Sequence, residues 1–134
     1  MYFSFENYLK TVFNDSQYQL QLVRVMSQNP LDVGKILMDR HSLKILATTT
    51  IMPKSVPELS MSLKIPIASC YRKVKALEAL GLLECVGTTL TPDGKRVRLY
   101  KSKAEGINIE FAGEKLKIII KFGENIRKIE AKIL

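Results

Sequence analysis

Two clusters of cationic side chains have the residue types and spacing needed to bind a polyanion. The first cluster follows two small residues and a tyrosine, and the set is Ala68, Ser69, Tyr71, Arg72, Lys73 and Lys75. The second cluster follows a Pro-Asp-Gly turn and consists of Lys95, Arg96 and Arg98. Lysine and arginine neutralise phosphates, and arginine also forms paired hydrogen bonds with the O6 and N7 atoms of guanine. These residues therefore predict recognition of a nucleic acid.

The positive charge of the chain is concentrated around these two clusters. The 134 residues carry 21 Lys and Arg against 13 Asp and Glu, a formal net charge of +8. Residues 40–101 hold 11 basic and 4 acidic residues, a net charge of +7, whereas residues 1–39 carry −1 and residues 102–134 carry +2. A basic patch confined to one part of a fold attracts polyanions, whereas an evenly spread excess mainly serves solubility. The charge distribution therefore favours a nucleic-acid partner.

Other chemistries lack the residues that they need. His41 is the single histidine and has no cysteine or carboxylate cluster near it in the sequence, and Cys70 and Cys85 do not have metal-ligand spacing. The sequence has no glycine-rich phosphate loop, no Ser/His/Asp set and no paired carboxylates in an acid–base context. We expect no enzyme, no cofactor and no bound metal, and we expect both cysteines to serve packing.

Composition indicates a globular protein of the size of one domain. Apolar residues make up 46% and charged residues 25% of the chain. No apolar run approaches the roughly 20 residues that a bilayer span requires. The segment MYFSFENYLK lacks the pattern of a secretory signal, and two cysteines are too few for a disulfide framework. We therefore expect a cytoplasmic protein with no membrane association.

The first cationic cluster is predicted to lie on a helix from Ile67 to Leu80 that stops at Gly81. Cys70, Val74 and Leu77 follow the spacing of a buried stripe. At 100° per residue, the opposite and exposed side is expected to consist of Ala68, Arg72, Lys75 and Ala79. The cationic side chains would then point away from the core.

Three shorter helices are predicted before this one, over residues 31–38, 39–50 and 56–63. Asn29-Pro30 marks the start of the first of them, since proline suits an opening helical turn. Ser55 and Glu58 have the spacing of a capping box at the start of the third. Earlier in the chain, apolar residues at helical spacing predict a first helix within residues 1–30.

Two β-hairpins are predicted after the helices. Residues 83–90 and 96–101 flank a turn over residues 91–95 that contains Pro-Asp-Gly. In the second hairpin, a two-residue loop of Gly113-Glu114 sets the register. The pairs this register predicts are Phe111 with Leu116, Ile109 with Ile118, Ile107 with Ile120, and Glu110 with Lys117. Residues 125–134 are predicted to form a short terminal helix, because Ile126, Ile129 and Ile133 form a stripe at helical spacing.

The predicted order over residues 39–101 is that of a winged helix-turn-helix. Residues 36–46 and 68–83 resemble the opening segment and the recognition helix of the ArsR-type regulators of archaea and bacteria. The resemblance covers about residues 31–101. It includes the pattern at the end of that helix, Leu77, Glu78, Gly81 and Leu82. The predicted helices and hairpins of the whole chain give an α+β, mostly α fold. Metal sensors of the family carry two cysteines where this chain has Ser60 and Ser62, which argues against metal sensing.

The resemblance places the 67–80 helix in the major groove of double-stranded DNA and the 91–98 hairpin, the wing, over the minor groove or its phosphates. Small Ala68 and Ser69 would allow close approach, and Arg72 would read guanine. Tyr71, Lys73 and Lys75 would contact phosphates, which position the helix without reading sequence. The wing would contribute Lys95, Arg96 and Arg98, since arginine is favoured in a narrow minor groove.

A recognition helix and one wing contact few base pairs, so we expect a homodimer on a palindromic site. The DNA-binding domain is expected over residues 31–101. The dimer interface would come from the N-terminal helical extension, residues 1–30, or from residues 102–134. Alternatively, these two segments would only cover the core of their own subunit. The expected function is that of a sequence-specific transcriptional regulator. The alternatives are a winged-helix module that binds proteins within the transcription machinery and a non-specific, chromatin-like DNA binder.

Overall fold

In a computed structural model of the protein, the residues described are 30–133, and they form an α+β fold. The elements in chain order are helices α1 (Pro30–Leu37), α2 (Arg40–Ile51), α3 (Val56–Leu63) and α4 (Ile67–Ala79), then strands β1 (Leu83–Leu90), β2 (Arg96–Ser102), β3 (Gly106–Ala112), β4 (Lys115–Phe122) and β5 (Asn125–Lys132). The expectation of a mostly helical protein is wrong for this part of the chain, where helix and strand are roughly balanced. The helix predicted within residues 1–30 falls almost wholly outside the described residues.

Side-chain caps fix where two of the helices begin. Asp39 caps α2 by accepting a hydrogen bond of 2.9 Å from the backbone N–H of Ser42. Ser55 and Glu58 form the predicted capping box at α3: the Ser55 hydroxyl accepts from the Glu58 N–H, and the Glu58 carboxylate accepts from the Ser55 N–H. Lys64 then adopts a left-handed φ of 57°, which ends α3 sharply just before α4.

The predicted buried stripe of α4 is confirmed. Cys70, Val74 and Leu77 are each 0% exposed and belong to one hydrophobic core together with residues of the other helices. The helix packs against α2, α3 and β1. Burial of this stripe holds α4 in a fixed orientation, so the direction of its remaining side chains is set by the core.

Strands β1 and β2 form a two-stranded antiparallel sheet, as predicted. In the connecting turn, the Gly94 N–H donates to the Thr91 carbonyl at 2.9 Å, and Gly94 has the positive φ of 86° that a side chain disfavours. A single residue, Lys54, pairs with Tyr100 of β2 through two backbone hydrogen bonds of 2.9 and 2.8 Å. This bridge ties the hairpin to the segment between α2 and α3.

Strands β3, β4 and β5 form a second antiparallel sheet with β4 in the centre. The register predicted for β3 and β4 is confirmed, from Ile107 opposite Ile120 to Phe111 opposite Leu116, with Glu110 opposite Lys117. Gly113 has a positive φ of 63°, as the predicted two-residue loop requires. The apolar face of this sheet contributes Ile118 and Ile120, both 0% exposed, to the same core as α4.

The terminal helix predicted over residues 125–134 is wrong, because Asn125–Lys132 is strand β5. Gly123 has a positive φ of 59° and forms, with Glu124, a second two-residue loop that turns the chain back along β4. A helix of ten residues is marginal on its own and would leave the backbone groups along one side of β4 unpaired. Pairing along all of β4 therefore outweighs the helical spacing of the isoleucines.

None of the helices between residues 30 and 133 is long and apolar enough to cross a membrane.

Candidate nucleic-acid interface

Helix α4 presents a small exposed surface near its N-terminus. Ala68 and Arg72 are exposed, Tyr71 is 48% exposed, and Ser69 is half-buried. These are four of the six residues on this helix that the sequence predicts to contact a nucleic acid. The buried stripe on the other side of the helix keeps them directed outward, and Arg72 is the one cation among them.

Lys73 is held in a contact within the fold. Its ammonium lies 2.9 Å from Oδ2 of Asp39, the residue that caps α2. Burial acts to raise the pKa of the Asp39 carboxyl, but hydrogen bonds from Lys73 and Ser42 and the charge of Lys73 outweigh it and lower that pKa. Lys73 therefore links α4 to the start of α2, which fixes how the two helices meet.

The structure contradicts the expected exposure of Lys75, which is 3% exposed. Its ammonium donates to the Tyr100 hydroxyl at 3.1 Å and lies 3.5 Å from Oε1 of Glu78. It also lies 5.4 Å from the ring centre of Tyr71 and 5.6 Å from that of Tyr100. Periodicity places Lys75 opposite the core stripe of α4, but Tyr100 of β2 and Glu78 of α4 contact its ammonium and bury it. Lys75 is therefore not on the exposed surface.

Burial raises the pKa of Tyr100 to about 12, helped by the negative charge of Glu78 and opposed by the guanidinium of Arg98. At neutral pH Tyr100 is therefore a neutral phenol whose oxygen can accept the hydrogen bond from Lys75. Lys75 and Tyr100 join α4 to β2, so this pair sets the position of the hairpin relative to the helix.

We predict that this phenol makes stability depend on pH in the alkaline range. The pKa of Tyr100 is higher in the folded protein than its ordinary value of 10.0, so the stabilisation is fully present below about pH 10 and is lost as pH rises through about 12. The expected loss between pH 9 and pH 11.5 is on the order of 2 kcal/mol. Urea unfolding at pH 9 and at pH 11.5 measures it. The loss should shrink in Tyr100→Phe, and an equal loss in both proteins would contradict the prediction.

The hairpin carries the three exposed cations of the second cluster. Lys95, Arg96 and Arg98 are all exposed, as expected. The Arg96 guanidinium donates to Oγ1 of Thr88 on the neighbouring strand at 2.9 Å, and Arg98 lies against the Tyr100 hydroxyl. These contacts hold the two arginine side chains along β2 while leaving them accessible to a ligand.

Helix α4 and the hairpin meet along an open cleft of about 410 Å³, which we name the α4–β2 cleft. Tyr71 and Lys75 line it from the helix, and Arg96, Arg98 and Tyr100 line it from the strand. The structure thus brings one residue pair of each cluster, Tyr71 and Lys75 from the helix and Arg96 and Arg98 from the strand, to one surface feature, although the two pairs are about 20 residues apart in sequence.

Sequence reasoning missed Tyr100, which positions the interface without being exposed. A signal for it was present, because Tyr100 has the same strand parity as Arg96 and Arg98 and therefore points to the same side of β2. An aromatic residue on the cationic side of a strand indicates that this side packs against something, here helix α4.

The remaining reactive side chains lie outside this surface. Cys70 is buried, which raises the pKa of its thiol, and packs in the core as expected, whereas Cys85 is exposed. His41 is half-buried. Within residues 30–133, no three histidine, cysteine, aspartate or glutamate side chains are grouped closely enough to hold a metal ion.

Comparison with known proteins adds no family assignment, since no family model and no curated protein matches the chain. We therefore infer the function from the geometry of α4, the hairpin and the cleft between them.

Proposed function

We propose that residues 31–101 form a winged helix-turn-helix and that the protein is a sequence-specific transcriptional regulator that binds double-stranded DNA. Helices α3 and α4, joined by the tight turn at Lys64, are the helix-turn-helix pair, and the β1–β2 hairpin is the wing. The backbone bridge between Lys54 and Tyr100 supports this assignment, because it ties the hairpin to the segment just before α3 and so holds the hairpin beside the helix pair.

The observation that carries the proposal is that helix α4 and the wing, which meet at the α4–β2 cleft, each present exposed arginine. Arg72 is exposed on α4, directly after Tyr71, which lines the cleft. Arg96 and Arg98 line the other side from the wing. When a helix enters the major groove, a hairpin beside it lies close to the phosphates of the same duplex. Cations on the two elements can therefore bind one DNA molecule together.

The exposure of each side chain decides which residues we propose as contacts. Arg72 is proposed to read guanine, with small Ala68 and half-buried Ser69 allowing the helix to approach the base edges. Tyr71 contacts phosphate beside them. Lys73 and Lys75 act inside the fold, where they hold α4 against α2 and β2. The wing contacts DNA through the exposed residues Lys95, Arg96 and Arg98.

One such module reads few base pairs, so we propose a cytoplasmic homodimer that binds a two-fold symmetric site. Residues outside 31–101 would provide the interface. Selection of bound sequences from a random duplex pool at about 150 mM salt would identify the site and its symmetry.

The Arg72→Ala variant tests base reading directly. We expect it to weaken binding of the selected duplex by about 10- to 100-fold, because a bidentate arginine–guanine pair contributes about 1–3 kcal/mol of discrimination. Binding of a scrambled duplex should change much less. Fluorescence anisotropy with both duplexes measures the two effects, and Lys128→Ala, which removes an exposed charge from β5, is the matched control.

The same measurements separate the proposal from its competitors. Equal weakening of both duplexes by Arg72→Ala would exclude base reading by this residue. Equal affinity of the unchanged protein for every duplex would indicate a non-specific binder. No duplex binding at about 150 mM salt would favour a module that binds other proteins.

A further inference from the structure

The α4–β2 cleft has the size of a small-molecule site. Its volume of about 410 Å³ falls within the roughly 300–1,000 Å³ typical of ligand pockets. Its walls come from α3, α4 and β2, elements that the hydrophobic core and the Lys75–Tyr100 hydrogen bond hold in place. A ligand would therefore meet a largely formed surface.

The charge of the cleft selects for an anion. Lys75, Arg96 and Arg98 line it, and none of the described residues that line it is acidic. The carboxylate of Glu78 lies 3.5 Å from the ammonium of Lys75 and balances part of this charge. Three cations against one neighbouring carboxylate leave an excess of positive charge. A carboxylate ligand would pair with an arginine through two parallel hydrogen bonds.

The uncharged side chains that line the cleft favour a ligand with a flat apolar group. The rings of Tyr71 and Tyr100 line the cleft, and the aliphatic side chains of Val56, Ile67 and Val97 complete it. Ile67 is 56% exposed and Tyr71 48% exposed, so both present apolar surface to whatever enters. An aromatic ring placed against these side chains removes that surface from water and stacks favourably on tyrosine.

We propose that the α4–β2 cleft binds a small planar aromatic carboxylate. The carboxylate pairs with Arg98 at the rim, with Arg96 and Lys75 contributing positive charge, and the aromatic ring lies against Tyr71 and the aliphatic wall. Because Arg96 and Arg98 are also the proposed DNA contacts of the wing, the bound ligand competes with the duplex. This second step depends on the proposed function, whereas ligand binding itself does not.

The first experiment uses the full-length protein, without DNA, and 2-naphthoate as the probe. Titration calorimetry and amide NMR shifts are expected to show binding with a dissociation constant below about 1 mM. The shifted amides should centre on Ile67, Tyr71, Val97 and Arg98. The neutral analogue 2-naphthamide and inorganic phosphate are expected to bind at least about tenfold more weakly, because each supplies only one of the two features of the ligand.

Two variants test the assigned contacts. Arg98→Met should weaken 2-naphthoate binding at least about fivefold, since it removes the paired hydrogen bonds. Lys128→Met makes the same change of charge on β5 and should leave the affinity within about twofold. The proposal is overturned if 2-naphthoate shifts no cleft amide, if 2-naphthamide or phosphate binds as tightly, or if the two variants behave alike.

Competition is measured by adding 2-naphthoate to the complex with the selected duplex. Release of the duplex by 2-naphthoate but not by 2-naphthamide supports the regulatory step, and a ternary complex overturns it. A protein that binds 2-naphthoate in the cleft but binds no duplex would refute the proposed function and leave the ligand site standing.

Discussion

Neutralising the wing should weaken duplex binding by about two orders of magnitude at about 150 mM salt. The variant replaces Lys95, Arg96 and Arg98 with glutamine. Each phosphate that a protein neutralises adds about 0.9 to the slope of log K against log salt, so losing three contacts should reduce that slope by about 2.7. All three side chains are exposed on the hairpin, so their replacement should leave the core intact.

A second triple variant controls for net charge. Lys117, Lys121 and Lys128 lie on the face of the β3–β4–β5 sheet opposite Ile118 and Ile120. Their replacement with glutamine removes the same charge from the protein but not from the wing. Fluorescence anisotropy over a series of salt concentrations gives both slopes. Equal reductions for the two variants would show that net charge, and not the wing, governs binding.

The parts of the fold that the sequence predicts best are those fixed by local rules. Ser55 and Glu58 form the capping box because two side chains three residues apart can satisfy each other's backbone groups. The β3–β4 register follows from a two-residue loop and strict alternation, since a slip by one residue would bury the charged face. In both cases neighbours in the sequence determine the outcome.

The prediction fails where a distant element decides the outcome. The isoleucines of residues 125–132 have helical spacing, but this segment pairs with β4 as a strand. The spacing alone does not reveal that a partner strand is available. Lys75 is similar, because the side chain of Tyr100, on a distant strand, accepts its hydrogen bond and helps to bury it. The exposure predicted for Arg72 and for the cations of the wing is therefore confirmed, whereas the exposure predicted for Lys75 is wrong.

The Ile118→Ala variant should lower the free energy of unfolding by about 2–5 kcal/mol, the usual cost of removing a large side chain from a packed core. Ile118 is 0% exposed, pairs across the sheet with Ile109 and Ile129, and its Cδ1 lies beside Gly34 of α1. It therefore links the β3–β4–β5 sheet to the helices. Urea unfolding measures the loss, with Ile126→Ala, at a position 65% exposed, as the control expected to cost far less.

This variant also decides whether the β3–β4–β5 sheet is part of the same cooperative unit as helices α1 to α4. Ile118 and Ile120 share one core with the stripe of α4, so the sheet and helices should lose stability together. Hydrogen exchange of amides in α4 and in β4 should then accelerate by similar factors. If only the amides of β3–β5 accelerate, the sheet opens on its own, and the orientation of α4 depends on the helices and the wing alone.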